Sequence, residues 1–322
     1  MRVLNSIVTL ALCATQTLVF AQTEEPTYAE KLGWPKGTKA LIVHIDDAGM
    51  SHDSNLGTIK AMEEGMANSV SVMMPCPWVP EITKYIAENP DTDAGLHLTL
   101  NSEWGNYRWG PAAGKPTVPG LVDSEGALWG GVGSVLAKAT ADEVDTEIRA
   151  QLDRARTMGF EPTHLDSHMG TLFADMDFLE RYINLGIETG IPVMFPGGHV
   201  YFTQQQNTHW PVFLLQTMGK KIWDAGLPVL DDLHNTSYDW KREDKIKNFV
   251  AAIHEIQPGV TMMIVHCSDP TETFSVFTGS GDSRLGDLEG VMSPEFKQAI
   301  EEEGIILTTF RELKQRRDAV KE

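Results

Sequence analysis

Two adjacent carboxylates interrupt an apolar run near the start of the chain. The stretch ALIVHI, residues 40–45, is rich in β-branched side chains and predicts a strand, and Asp46 and Asp47 follow it directly. Neighbouring aspartates repel each other and disfavour a strand, so the pair requires a cation, a proton or open water beside it. The pair therefore indicates a site whose other members come from elsewhere in the chain.

Histidines lie at or near the ends of other predicted strands. They are His97 in GLHLTL, His164 and His168 with Asp166 in PTHLDSH, and His266 in TMMIVH. An aspartate and two histidines that reach inward form a set of N and O ligands with open positions, a common way to hold a catalytic divalent metal. A single histidine at such a place is more often hydrogen-bonded to the backbone, so only the joint pattern favours a metal site. The backbone interpretation is kept for His44, His52, His199, His209 and His254.

Strands and helices alternate along the chain. Apolar runs recur at ALIVHI, NSVSVMM, DAGLHLTL, PTHLDSH, IPVMF, LPVL, TMMIVH and GIILTT. Between them, Thr140 and Glu143 form a predicted capping box, and Ser293 followed by Pro294 starts another helix. This alternation predicts an α/β fold with mostly parallel strands. About seven or eight such units favour an irregular (β/α) TIM-type barrel with its active site at the C-terminal face.

Three long loops, rich in Gly, Pro, Trp and Tyr, follow predicted strands at residues 101–131, 196–211 and 267–290. In a barrel they would lie on the same face as the polar strand ends. The aromatic side chains of the first loop, Trp104, Tyr107 and Trp109, could stack on a sugar ring or pack the loop itself. Both interpretations stay open at this point.

The charge balance restricts the classes of partner. The chain has 26 Lys and Arg against 45 Asp and Glu, which gives a formal net charge of −19. Such a surface argues against nucleic acid and against an anionic membrane, both of which attract basic proteins. A small neutral or cationic substrate is expected instead, and the oligomeric state is left open.

The first 21 residues read as a secretory signal peptide, with one early Arg, no acidic residue and an apolar stretch. Residues 22–322 are then expected to form a single (β/α) barrel domain that is secreted or periplasmic and has no membrane segment. Only Cys76 and Cys267 remain after cleavage. They could form one disulfide in an oxidising compartment, although two buried thiols are the preferred interpretation.

Other polar residues compete for a functional role. Asp231, Asp232 and His234 also follow an apolar run, and they could line the pocket, cap the next element or lie on the surface. The last two positions are preferred for this cluster. Arg284, in GDSRLGDLEG, could orient a carboxylate of the site or of the substrate, with a surface ion pair as the default.

Several motifs agree in order and spacing with a known family. The stretches HIDDAGMSHDSNLGTIKAMEEGMANSVSVMM, DTDAGLHLTL and EPTHLDSHMG resemble the YdjC-like carbohydrate deacetylases, which include chitooligosaccharide deacetylases. The resemblance runs from about Lys39 to Leu100 and from about Glu143 to Leu172, and it is thinner near MIVHCSD and GDSRLGDLEGVMSPEF. It implies an irregular (β/α) barrel that removes acetyl groups from a small carbohydrate.

The resemblance also implies roles for individual residues. Asp47, His97 and His168 would be the metal ligands, Asp46 the catalytic base and His266 a candidate general acid. The implied cofactor is one divalent metal ion, Mg²⁺ by resemblance, while Zn²⁺ or another transition metal also suits N and O ligands. A cation on Asp47 would keep both adjacent carboxylates ionised, which accounts for the pair.

The chain departs from the family pattern near the second histidine motif. Met169 and Gly170 stand where members often have further histidines, and Ala48 replaces a usual aromatic residue. The pocket is therefore expected to differ from that of chitobiose-specific members. Two alternatives remain: another metal-dependent hydrolase of a glycan substituent or ester on this fold, and a catalytically inactive carbohydrate-binding protein. Retention of Asp46 argues against the second, since binding alone needs no base.

Overall fold

The computed structural model describes residues 25–206 and 210–320. The predicted signal peptide and His209 lie outside these residues. Seven parallel strands form one sheet in the order β4-β3-β2-β1-β6-β5, with β7 beside β1. The strands are β1 Lys39–Ala48, β2 Ser69–Val72, β3 Ala94–Leu98, β4 Leu165–Ser167, β5 Asp232–His234, β6 Gly259–Val265 and β7 Ile306–Leu307. The predicted parallel α/β architecture is confirmed.

The sheet is curled. Isolated parallel bridges join Leu165 of β4 to Val193, and Pro196 to Leu230, which precedes β5. The two edge strands of the sheet thus approach the same segment, residues 193–196, which a flat sheet could not do. The predicted strands IPVMF and LPVL form only these single bridges, because Pro192, Pro196 and Pro228 lack the N–H that a ladder needs.

Thirteen α-helices accompany the strands within the described residues. They are α1 Tyr28–Lys31, α2 His52–Glu64, α3 Val79–Glu88, α4 Val132–Lys138, α5 Ala141–Thr157, α6 Met176–Thr189, α7 Tyr201–Gln205, α8 Val212–Asp224, α9 Lys245–Glu255, α10 Phe274–Phe277, α11 Gly281–Met292, α12 Pro294–Glu302 and α13 Phe310–Ala319. The predicted capping box of Thr140 and Glu143 starts α5, and Ser293 caps α12 through the N–H of Phe296. Both helix starts are confirmed. No helix in this part of the chain has the length and apolar character to cross a bilayer.

The two faces of β1 are buried in different surroundings. Leu41, Val43 and Ile45 pack in the larger cluster with the helices, whereas Ala40 and Ile42 face a smaller cluster inside the curl. Side chains alternate between the faces of a strand. His44 and Asp46, the next even positions, therefore point into the curl, where they meet side chains from β2, β3 and β4.

Asp47 breaks this alternation. Its φ of 68° lies in the left-handed region, and the register between β1 and β2 shifts between Ile45 and Ala48. Regular strand geometry would send Asp46 and Asp47 to opposite faces, but both carboxylates approach His97, at 3.7 and 3.3 Å. The left-handed conformation costs a non-glycine residue about 1 kcal/mol of conformational free energy. This strained conformation places the two carboxylates on the same side of the strand.

The second acidic cluster has a structural role. Asp231 accepts hydrogen bonds from the first two backbone N–H groups of α1 at 2.8 and 3.1 Å and from that of Val260 at 2.8 Å. Asp232 accepts from two backbone N–H groups of α7 at 2.7 and 3.1 Å. Both aspartates therefore bind helix N–H groups, but those helices precede them in the chain, so neither aspartate caps the next element or lies on the surface. Cys76 and Cys267 are both buried free thiols, as preferred.

Asp231 is predicted to be a major source of stability. Asp231→Ala should lower the free energy of unfolding by about 3 kcal/mol, because buried N–H groups of α1 and β6 lose a charged acceptor. Urea denaturation followed by circular dichroism measures this change. Asp239→Ala, at an exposed position in the same region, is the control and should change stability by less than about 0.5 kcal/mol. Equal effects of the two substitutions would contradict the capping role.

Candidate metal centre and catalytic site

Three buried atoms from three parts of the sheet converge on one point. Asp47 Oδ1 lies 3.3 Å from His97 Nε2 and 3.2 Å from His168 Nδ1, and the two ring nitrogens are 3.2 Å apart. Asp47 belongs to β1, His97 to β3, and His168 follows β4 directly. The predicted ligand triad is thus brought together at the carboxyl edge of the sheet.

The outward nitrogens of both rings face carboxylates. His97 Nδ1 lies 2.7 Å from Asp166 Oδ1, and His168 Nε2 lies 3.1 Å from Glu103 Oε2. An ionised carboxylate only accepts hydrogen bonds, so these outward nitrogens carry the proton. In the neutral rings, the inward nitrogens then present lone pairs to Asp47 Oδ1, which itself has no hydrogen-bond partner. Three acceptors that face one point require protons or a cation between them, and two imidazoles with one carboxylate fit a divalent metal.

The electrostatics of the site show the same demand for positive charge. Burial alone would lower the pKa of His168, but the carboxylates of Glu103 and Asp47 outweigh it and raise that pKa to about 9. The pKa of His97 is also raised despite its burial, by Asp46 and Asp166. Protons bound to the rings satisfy the carboxylates in this state, and a divalent cation would displace them.

Asp166 joins the triad to a buried polar network. Its Oδ2 lies 2.9 Å from His44 Nε2, and His44 Nδ1 lies 2.9 Å from the hydroxyl of Ser69. Burial lowers the pKa of His44, but hydrogen bonds with Asp166 and Asp46 raise it to about 9. The prediction that His44 is hydrogen-bonded to the backbone is therefore wrong, because its ring nitrogens bond the side chains of Ser69, Ser71 and Asp166. Asp166 is thereby held in place to orient His97.

Arg284 is part of this site. Its guanidinium donates to Asp47 Oδ2 at 2.7 Å and lies over the rings of Trp104 and Tyr238, at 5.6 and 5.4 Å. The side chain is buried, so the default of a surface ion pair is wrong. Burial raises the pKa of the Asp47 carboxyl, but Arg284 and the two histidines outweigh it and hold that pKa well below its usual range.

Asp46 and His266 form a second pair beside the triad. Asp46 Oδ2 lies 3.8 Å from His266 Nε2. The backbone N–H of His266 donates to Asp287 Oδ2 at 2.8 Å, and Asp287 Oδ1 accepts from the buried Lys245 Nζ at 2.6 Å. Burial lowers the pKa of His266 more than the neighbouring carboxylates raise it. The ring is therefore held in its neutral form more strongly than a free imidazole.

A cavity of about 450 Å³ opens beside this pair. Asp46 and His266 line it directly, together with Val132, Ser167, Met169, Gly170, Phe173, Ala174, Met194, Pro196, Thr203, Gln206, Trp210, Leu215, Leu233, Asn235 and Ile264. Its size is typical of sites for small molecules. A ligand in the cavity would contact both candidate catalytic side chains.

Sequence reasoning missed Glu103 and the role of Asp166. Asp166 lies opposite His97 in the parallel register of β3 and β4, which was a detectable signal. Glu103 lies in the loop after β3, where no periodicity predicts its direction. Beside it, Trp104 and Trp109 are buried at 5% and 3% exposure, so they pack the loop and do not line the cavity.

Several named proteins are similar to this chain, two of them over most of its length. A carbohydrate deacetylase of Brevibacillus brevis is 28% identical over 279 residues, covering 85% of this chain and 99% of that protein. A carbohydrate deacetylase of Thermus thermophilus is 26% identical over 273 residues, covering 85% and 93%. A chitooligosaccharide deacetylase of Yersinia enterocolitica is 30% identical over 135 residues, covering 40% and 49%.

A solved structure and a family model agree with these relatives. The crystal structure of a protein from Enterococcus faecalis superposes with a TM-score of 0.71 at 22% identity, covering 86% of this chain and 99% of that one, and so shares its fold. The model of the family described as YdjC-like protein matches residues 40–302, well over half of the chain and all five predicted site residues. The chain therefore belongs to the YdjC-like protein family.

Proposed function

We propose that the protein is a metal-dependent carbohydrate deacetylase, which hydrolyses the acetyl group of an amino sugar or an acetylated oligosaccharide. The observation that carries the proposal is the convergence of Asp47, His97 and His168 beside the Asp46–His266 pair at a cavity. The names of the relatives support the reaction and a carbohydrate as its substrate.

Asp47, His97 and His168 would hold the metal. When bound there, a divalent ion would polarise an acyl carbonyl and lower the pKa of a water molecule. Family resemblance suggests Mg²⁺. Two imidazole nitrogens and one carboxylate suit Zn²⁺ or another transition metal better, because Mg²⁺ prefers oxygen ligands.

Asp46 and His266 divide the proton transfers. Asp46 lines the cavity next to the triad, so it is placed to take a proton from the attacking water. His266, 3.8 Å away, is placed to pass a proton to the leaving amine or alcohol. The rest of the chain holds them: Asp287 fixes the backbone of His266, and Arg284 holds Asp47 away from this chemistry.

The closure of the barrel and the location of the protein are also proposals. We propose that the segment 193–196 closes the curled sheet into an irregular barrel, which its bridges to both edge strands support. We also propose that the protein acts outside the cytoplasm after cleavage of residues 1–21, supported by the signal-like composition of that segment.

Removal of one triad ligand should remove the metal. In His168→Ala we expect metal content to fall from one equivalent to near zero without loss of the fold, because two protein ligands hold a divalent ion poorly. Elemental analysis after dialysis and circular dichroism measure the two properties. His254→Ala, at a half-exposed histidine paired with Glu303, is the matched control and should keep its metal. A stoichiometric metal in His168→Ala would refute the triad.

The proposed base can be separated from the metal site. Asp46→Asn should lower kcat for acetate release by about 10³-fold, because an amide cannot take the proton from water. The metal content should stay at one equivalent, which distinguishes a base from a ligand. An unchanged kcat with bound metal would show that another group acts as base.

The role of His266 depends on the leaving group. His266→Asn should lower kcat by about 10²-fold or more for an N-acetyl sugar, whose amine must leave protonated. With 4-nitrophenyl acetate the loss should be less than about fivefold, because the nitrophenolate leaves without a proton. Equal losses on both substrates would contradict a role as general acid.

A further inference from the structure

The floor of the cavity is apolar. Met194, Leu233 and Ile264 line it, and they belong to the buried cluster inside the curled sheet, with 5%, 9% and 8% exposure. Of the described residues that line the cavity, Asp46 and His266 alone can carry a charge. A phosphorylated or carboxylated sugar would therefore find no Lys or Arg among these residues to pair with its anionic group.

Several uncharged polar side chains that line the cavity already form hydrogen bonds within the protein. The Ser167 hydroxyl accepts from the backbone N–H of Leu172 at 3.0 Å, and the Thr203 hydroxyl donates to Asp232 at 3.0 Å. Gln206 Oε1 accepts from the backbone N–H of Asn235 at 3.1 Å. Sugar hydroxyls buried without partners are costly. The sugar is thus best placed at the rim, near the exposed Asn235, with a less polar group on the floor.

The volume of the cavity exceeds what an acetyl group needs. A methyl group is about the size of a water molecule, which takes about 30 Å³ of liquid. The cavity holds about 450 Å³. Asp46 and the apolar floor line the same cavity, so an acyl chain whose carbonyl carbon lies beside Asp46 can extend over that floor. With the sugar at the rim, an acetyl methyl would leave most of the floor without contact.

Met169 adds apolar surface at the mouth of the cavity. It follows the triad residue His168 directly, has a left-handed φ of 52° and is 47% exposed. A left-handed conformation costs a non-glycine residue about 1 kcal/mol, and it persists where the surrounding structure demands it. An exposed thioether held in this way provides a flexible apolar contact for a ligand.

We propose that the cavity also accepts straight acyl chains longer than acetyl, and that the substrate is an N-acyl amino sugar without an anionic substituent. This inference rests on the proposed hydrolysis and adds the substrate class. Water adds to the acyl carbon, the C–N bond breaks, and the products are the carboxylate of the chain and the amine of the sugar. The chain lies on Met194, Leu233 and Ile264, and the sugar lies at the rim.

The test is a series of methyl glycosides of glucosamine that carry N-acetyl, N-propanoyl, N-butanoyl or N-hexanoyl groups. Amine release by the metal-reconstituted protein gives kcat/KM for each. We expect kcat/KM to rise about fourfold for each added methylene up to butanoyl, the effect of burying one methylene in an apolar site. A steady fall from acetyl to hexanoyl, with acetate released normally, would overturn the inference and leave the proposed function intact.

A matched pair of variants tests where the acyl chain of the substrate binds. Ala174→Leu, on the wall of the cavity, should lower the ratio of kcat/KM for hexanoyl over acetyl by about tenfold or more, because the larger side chain takes the space of the chain. Ala87→Leu, exposed on α3, should leave the ratio unchanged. Equal ratios in the two variants would place the acyl chain elsewhere and overturn the inference.

Measuring substrate binding tests the apolar acyl subsite independently of hydrolysis. Calorimetry with Asp46→Asn should show Kd falling about fourfold for each added methylene, since the apolar floor does not depend on the base. If the parent protein hydrolyses none of the substrates, the proposed function is wrong. In that case a Kd that falls with chain length still supports the apolar subsite, and a constant Kd overturns it.

Discussion

The meeting of Asp47, His97 and His168 depends on the curvature of the sheet. In the strand order, β2 lies between β1 and β3, so Asp47 and His97 start from strands that are roughly 9.5 Å apart in a flat sheet. Their side-chain atoms nevertheless come within 3.3 Å. On the inner face, β2 presents small hydroxyl side chains, Ser69 and Ser71, which hydrogen-bond to His44. A larger residue at either position would displace His44, which holds Asp166 behind His97.

Each side chain of the triad is paired with an oppositely charged or hydrogen-bonding side chain on its outer side. Asp166 and Glu103 fix the outer nitrogens of the two histidines, and Arg284 takes the outer oxygen of Asp47. Every ligand is thereby oriented by a partner on its far side, so that only its inner atom faces the common point. Because the site is buried, each of these contacts acts with little screening by water, and loss of one partner would leave an uncompensated charge.

Sequence reasoning reached the members of the site but not their supports. Asp46, Asp47, His97, His168 and His266 were identifiable because polar residues at the ends of parallel strands share one edge of the sheet. Glu103 lies in a loop, where no periodicity predicts the direction of a side chain. Arg284 was identified only as an alternative to a surface ion pair, because the sequence does not show that its side chain is buried. The length of the strands after Ile191 was also overestimated. The runs IPVMF and LPVL are apolar, but their prolines lack the N–H groups that a strand ladder needs.

One backbone dihedral angle explains why two neighbouring aspartates have different surroundings. Asp46 keeps regular strand geometry, points into the curl and lines the cavity, with Oδ2 3.7 Å from His97 and 3.8 Å from His266. Asp47, with φ at 68°, turns under the histidines, where Arg284 occupies one of its oxygens and the metal point the other. With Arg284 on one oxygen and the proposed metal on the other, Asp47 would have no oxygen left to accept a proton, whereas Asp46 remains open to the cavity. The same left-handed turn that brings both carboxylates to one side therefore also separates the proposed ligand from the proposed base.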